Sequence, residues 1–160
     1  MSTYTATIRW TRDRSTDFSR GQYSRAHSWE FDGGVTVPAS PSPHVVPQPW
    51  SDLAAVDPEE AFVASLASCH MLFFVDLARR AGFTVDSYVD EAEGVLEKRD
   101  DGKMWMSQVT MHPRVEFSGD KRPTAADIAD LHHRAHDQCF IANSVTTEVI
   151  IQPYPPSLRA

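Results

Sequence analysis

The segment from Asp57 to about Arg80 constrains this chain more than any other. Asp57-Pro58-Glu59-Glu60 carries several helix-start signals at once. Asp57 suits the N-cap, Pro58 suits the first helical position, and Glu60 three residues on completes a capping-box pattern. Gly82 just past Arg80 suits a helix end. Between these signals the residues are apolar on nearly every side: Phe62, Val63, Leu66, Leu72, Phe73, Phe74 and Leu77. A helix without a polar face must be central, covered by a sheet or by another subunit. Its most apolar stretch, Ala61 to Val75, is broken by Ser65, Ser68 and His70 and is short for a membrane span.

Strand patterns flank this helix. Tyr4 to Trp10 alternates, Tyr23 to Phe31 reads as a second strand, and Asp32-Gly33-Gly34 turns the chain into a short return strand at Val35 to Val37. Residues 39–56 form a loop whose four prolines, Pro41, Pro43, Pro47 and Pro49, oppose ladder pairing. It is read as either a lid or an arm docked on the core. Beyond the helix, Phe83 to Glu97 and Lys103 to Phe117 read as two long strands joined by a turn at Arg99 to Gly102. Thr124 caps a second helix with inner residues Ile128, Leu131 and Ala135, and Cys139 falls at its end. A last strand covers Val145 to Ile151, and residues 153–160 read as a surface tail. Strands and helices cluster in runs, so the class is α+β and the expectation is one domain over residues 1–160.

Composition narrows the function classes. A net charge of −7 disfavours nucleic acid and anionic membrane surfaces as partners. The N-terminus lacks a basic start followed by an apolar run, so a cytoplasmic location is expected. In a reducing compartment the two cysteines, Cys69 and Cys139, are not expected to form a permanent structural bridge. They are either buried free thiols or chemically active ones. If the two helices pack together, the sulfurs can meet.

A nucleophilic thiol needs a cation, because apolar burial alone raises its pKa. Arginine keeps its charge when desolvated and forks onto a carboxylate, so an arginine oriented by Glu59 suits the task. Glu59 and Cys69 stand ten positions apart, about 15 Å of helical rise. One guanidinium hardly spans that distance on a straight helix. Two copies antiparallel about an axis near Ala64 bring Glu59 of one chain to Cys69 of the other, so a homodimer with shared sites is expected. A kinked helix is the alternative.

Two motifs now carry a resemblance. Asp57-Pro58-Glu59 followed ten residues after the glutamate by Cys69, together with Ala135-His136-Asp137-Gln138-Cys139 leading through Asn143-Ser144 into a strand, resembles the OsmC/Ohr family of osmotically inducible and organic hydroperoxide resistance proteins. The element order is similar over nearly the whole chain. The resemblance implies an intertwined homodimer with curved antiparallel sheets wrapped around long central helices. It implies a peroxiredoxin-like organic hydroperoxide reductase in which Cys69 attacks, a Cys69 sulfenic acid condenses with Cys139, and a dithiol or lipoylated protein regenerates the thiols. Glu59 corresponds to the family's catalytic glutamate. Arg25, preferred to Arg20, corresponds to its arginine. Phe140 stands where many members carry proline. No cofactor or metal is expected.

Other readings remain open at this level. His132, His133 and His136 could hold zinc or nickel, or form a solvated helix face. His70 is either a core histidine or an influence on Cys69. Phe62, Phe73, Phe74, Trp50 and Val45 either line an apolar substrate pocket or are plain core. The same fold could also serve as a non-catalytic redox-sensing or small-molecule-binding dimer.

Overall fold

The structure, a computed structural model, describes residues 1–155 and the backbone of residues 157 and 158. The chain divides into two compact units, Met1–Ala61 and Phe62–Ala160.

In the first unit, β1 (Ala6–Arg9), β2 (His27–Phe31) and β3 (Thr36–Ala39) form an antiparallel sheet with β2 in the centre. The β2 strand starts at His27, later than the alternation suggested, which leaves Arg25 ahead of it. Gly34, at φ 82°, makes the β2–β3 turn. Glu30 pairs with Arg9 at 2.9 Å across β1 and β2. The proline-rich loop is an arm docked on this sheet, not a free lid. Val56 N–H donates to Pro38 O of β3, and Arg25 N–H, just ahead of β2, donates to Trp50 O. Pro38 is tolerated in β3 because that strand is an edge.

Helix α1 runs without interruption over Pro58–Arg80. Its start is the expected reciprocal box: Glu60 N–H donates to the Asp57 carboxylate at 2.7 Å, and Asp57 N–H donates to the Glu60 carboxylate at 3.1 Å. Its end is a Schellman closure around Gly82, at φ 81°. Phe83 N–H reaches Ala78 O and Gly82 N–H reaches Arg79 O. By length and composition alone α1 would suffice to cross a membrane, a stronger signal than its central stretch gave in sequence. In the structure one flank of it is core.

Each long strand of the expected hairpin is two strands. The segments are β4 (Thr84–Asp90), β5 (Glu93–Lys98), β6 (Met104–Met111) and β7 (Pro113–Ser118). The ladder lapses between the Asp90–Pro113 and Glu93–Thr110 pairs. There the Asp90 carboxylate takes the His112 N–H at 2.6 Å, so a side chain replaces a strand partner at the bend. The sheets are not wholly antiparallel. Strand β8 (Glu148–Ile151) adds parallel to β6, and β9 (Ser157–Leu158) adds parallel to β7, giving the orders β5-β6-β8 and β4-β7-β9. Residues 157 and 158 therefore pair with a strand instead of trailing as a surface tail. The tail's residues 156, 159 and 160 lie outside the described residues.

Helix α2 covers Ala125–Gln138, with Thr124 and Asp127 forming its capping box, and a 3₁₀ turn at Ala142–Ser144 follows. The second unit has two apolar clusters. Phe74, Leu77 and Ala78 of α1 pack with Val115, Phe117, Ile128, Leu131 and Ala135. Leu66, about two turns of helix before Phe74, packs with Val109 and Met111. At Gly94 the α1 helix meets β5 so closely that a Cβ would lie 2.6 Å from Val63 Cγ2.

Candidate functional site

The end of α2 and the middle of α1 converge in the second unit. Ile128, Leu131 and Ala135 face the core, and the same stripe carries His132 and ends at Cys139, the C-cap residue. Cys139 is 1% exposed, whereas Cys69 is only partly covered. Both are free thiols, and they lie close enough for Cys69 to influence the Cys139 proton. Burial first, then the hydrogen bond to Cys69, push the Cys139 thiol up to about 11. The amides of Ala142, 3.4 Å from Cys139 Sγ, and of Ile141 oppose that rise. Cys139 at rest is thus a protonated, water-excluded thiol.

Cys69 lines a cavity of about 480 Å³ with Ser65, Ser68, Leu72, Phe73, Asp76, Phe140 and Ile141. Phe140 meets Phe73 edge-to-face at 5.1 Å and is otherwise 71% exposed. Of the aromatic and aliphatic residues weighed as pocket walls, only Phe73 lines this cavity. Phe74 is core, Phe62 packs against the Leu66 cluster, and Trp50 and Val45 lie in the first unit. Phe140 was missed as a wall because its place directly after Cys139 marked it only as loop.

The histidines are not a solvated face. Only His133 is exposed, 3.4 Å from Asp137. His132 is 4% exposed, and its Nδ1 lies 3.0 Å from Nε2 of His70, itself 1% exposed. The rings are nearly parallel, 8° apart, and His132 also packs on Phe74. Burial, joined by the neighbouring His132 and His136, holds His70 down at about 3, and burial holds His132 at about 4. At neutral pH both rings are uncharged, so His70 supplies no cation to Cys69. Among the described residues no three histidine, cysteine or carboxylate side chains are placed to hold a metal ion. The signal for His132 was available: it sits in the Ile128-Leu131-Ala135 stripe.

Arg25 and Glu59 belong to the first unit. The Arg25 guanidinium donates to Tyr23 O at 3.0 Å and to Gly21 O at 3.3 Å, and it stacks 4.1 Å from the Tyr23 ring centre. Among the described residues it has no carboxylate partner. Arg20 instead pairs with Asp17 at 3.4 Å and is largely exposed. Glu59 lies in the first turn of α1, half-buried.

Fold and site together define a two-thiol α+β protein, with one accessible sulfur beside an apolar cavity and a second buried against it. Residues 51–153 match the OsmC-like protein family, and the chain belongs to that family. It is similar to the structure of an OsmC-like protein of unknown function from Vibrio cholerae, at 51% identity and TM-score 0.94, over 96% of this chain and 100% of that one. An organic hydroperoxide resistance protein from Elizabethkingia anophelis shares the fold at 15% identity and TM-score 0.67, over 99% of both chains. Organic hydroperoxide resistance protein OhrB of Bacillus subtilis does so at 20% identity and TM-score 0.60, over 99% of this chain and 98% of that one. No curated protein matches the chain.

Proposed function

We propose that this chain is a two-cysteine peroxidase that reduces organic hydroperoxides, acting as a homodimer in the cytoplasm. One observation carries the reading: Cys69 and Cys139 lie close enough to influence each other, beside an apolar cavity that Cys69 lines. The solved relatives named for organic hydroperoxide resistance support the substrate class.

The reaction divides between the thiols by accessibility. The Cys69 thiolate attacks one peroxide oxygen. The S–O bond forms, the O–O bond breaks, and the alkoxide takes a proton and leaves as an alcohol. Cys139 then gives up its proton and attacks the Cys69 sulfenic acid. The S–S bond forms, the S–O bond breaks, and the departing hydroxide takes the proton as water. A small dithiol or a lipoylated protein restores both thiols by two exchanges and is itself oxidised to a disulfide.

Cys69 needs a nearby cation to attack at neutral pH. With His70 uncharged, Arg25 oriented by Glu59 fills that role in this proposal. Arg20 is a poorer choice, because Asp17 already neutralises it. Because α1 is uninterrupted, Glu59 and Cys69 stay about 15 Å apart along its axis. Ala64, Ser68, Leu72 and Val75 form an exposed stripe on α1, with Leu72 65% exposed. A second copy running antiparallel about a two-fold axis near Ala64 covers that stripe and brings its Glu59 toward Cys69.

The test is turnover of cumene or t-butyl hydroperoxide with dihydrolipoamide as reductant. Wild type turns over, Cys69→Ser is inert, and Cys139→Ser consumes one equivalent and stops. Peroxide consumption that survives in Cys69→Ser rejects the proposal. Sedimentation showing only monomer at micromolar concentration rejects the shared site.

A further inference from the structure

We propose that His70 and His132 are positioning residues for the cysteine pair: their buried hydrogen bond fixes α1 against α2 so that Cys69 and Cys139 face each other. The inference rests on the proposed use of those cysteines as a redox couple.

The geometry is specific to the two sulfurs. His70 directly follows Cys69 on α1. His132 stands seven residues before Cys139, two helical turns back along the same inner stripe of α2. Each histidine therefore travels with one sulfur. Among the described residues their contact, at 3.0 Å, is the only hydrogen bond between a side chain of α1 and a side chain within α2. The other α1–α2 contacts join apolar groups such as Phe74, Leu77, Leu131 and Ala135. Apolar contact is non-directional and tolerates slip, whereas a hydrogen bond weakens steeply with distance and angle. A disulfide tolerates little slip, because its Cα separation and torsion are confined to narrow ranges.

The pair is also costly if it served only as filling. Among the described residues, His70 Nδ1, His132 Nε2 and His136 Nδ1 are buried and find no hydrogen-bond partner. Two apolar side chains of similar size would fill the space without that penalty. What imidazoles add is a fixed direction and separation. They do not act by charge, since burial keeps both rings neutral at working pH.

The experiment uses no peroxide. The full-length protein is equilibrated in mixtures of reduced and oxidised dithiothreitol, and the Cys69–Cys139 disulfide is quantified by mass spectrometry. His132→Leu is expected to lower the equilibrium constant for disulfide formation at least tenfold while the folded circular dichroism spectrum persists. A second comparison holds if that variant does not fold. His70→Gln places an amide where Nε2 lies and keeps the constant within threefold of wild type. His70→Asn is too short to reach His132 and loses at least tenfold. A folded His132→Leu within twofold of wild type overturns the proposal, as do Gln and Asn variants at position 70 that behave alike. Wild type that forms this disulfide yet ignores hydroperoxides would sink the proposed function and leave the positioning result standing.

Discussion

Acidification should destabilise this fold through the same two histidines, by an amount set by their burial. In the unfolded chain each titrates near 6.5. In the fold His70 is held at about 3 and His132 at about 4. Both folded values lie below the unfolded one. Between them the unfolded chain binds protons that the folded chain refuses, and stability falls as pH drops below about 6.5. At pH 5 the folded rings are still neutral, so the cost depends almost entirely on the unfolded value. It comes to about 2 kcal/mol per histidine relative to pH 7.5, or about 4 kcal/mol for the pair. Other groups contribute in both directions. The Asp90 carboxyl, raised by burial, stabilises toward acid, and the hydrogen-bonded carboxylates of Asp13, Asp76 and Asp127 do the reverse. A difference measurement removes them. His132→Asn keeps a polar group at the Nδ1 position and does not titrate. Urea denaturation of wild type and this variant, at pH 7.5 and pH 5 and one protein concentration, should show the variant losing about 2 kcal/mol less on acidification. Equal losses in the two proteins would refute the claim that His132 is buried uncharged.

Three further perturbations follow from distances at named residues. Gly94→Ala drives a methyl to 2.6 Å from Val63 Cγ2 and 2.8 Å from Met106 Sδ, and it should cost about 1–3 kcal/mol in urea denaturation. An unchanged midpoint would show that α1 gives way freely. Phe140→Ala removes the edge-to-face partner of Phe73 from the Cys69 cavity. It should lower kcat/KM for cumene hydroperoxide about tenfold while changing that for hydrogen peroxide less than about twofold; parallel losses would mean the ring does not contact substrate. In Cys69→Ala the Cys139 thiol loses a hydrogen bond and a charge that raise it, so its pKa should fall below about 11 yet stay above the ordinary 8.5, because burial is the larger cause. Alkylation rate against pH reads this, and a value unchanged from wild type contradicts the thiol–thiol contact.

Both helices were legible in the sequence because their ends carry local chemistry. Asp57 with Glu60, Gly82, and Thr124 with Asp127 each act within a few residues, and the structure uses every one of them. The strands were legible as apolar runs but not as pairings. Nothing local says that Asp90 will spend its carboxylate on the His112 amide and split the hairpin into two sheets, since those residues are far apart in sequence. The parallel additions of β8 and β9 are non-local for the same reason. At the site, the spacing in both motifs pointed to the cysteines, and helix periodicity marked Ile128, Leu131 and Ala135 as the inner face of α2. The same periodicity extends to His132, but three histidines close together read as polar surface. The His70 contact appears only once α1 and α2 are set side by side, because its partner lies 62 positions away.

In the proposed cycle the environment of Cys139 orders the two chemical steps. At neutral pH a thiol held near 11 is ionised about once in ten thousand molecules. A 1% exposed sulfur also meets almost no peroxide, so the first attack falls to Cys69. Part of that suppression comes from Cys69 itself, through its hydrogen bond and its charge. Conversion of Cys69 to a neutral sulfenic acid removes the charge contribution. The Ala142 and Ile141 amides, which favour the thiolate, stay in place. They are held by the turn after α2, where Asn143 N–H donates to Cys139 O and the Ser144 hydroxyl donates to Phe140 O. Oxidation of the first sulfur thus releases the second, and the turn that carries Phe140 over the cavity also carries the donors that receive the new thiolate. Condensation then needs no external base to be delivered into a buried site, because the leaving hydroxide accepts the proton that Cys139 gives up.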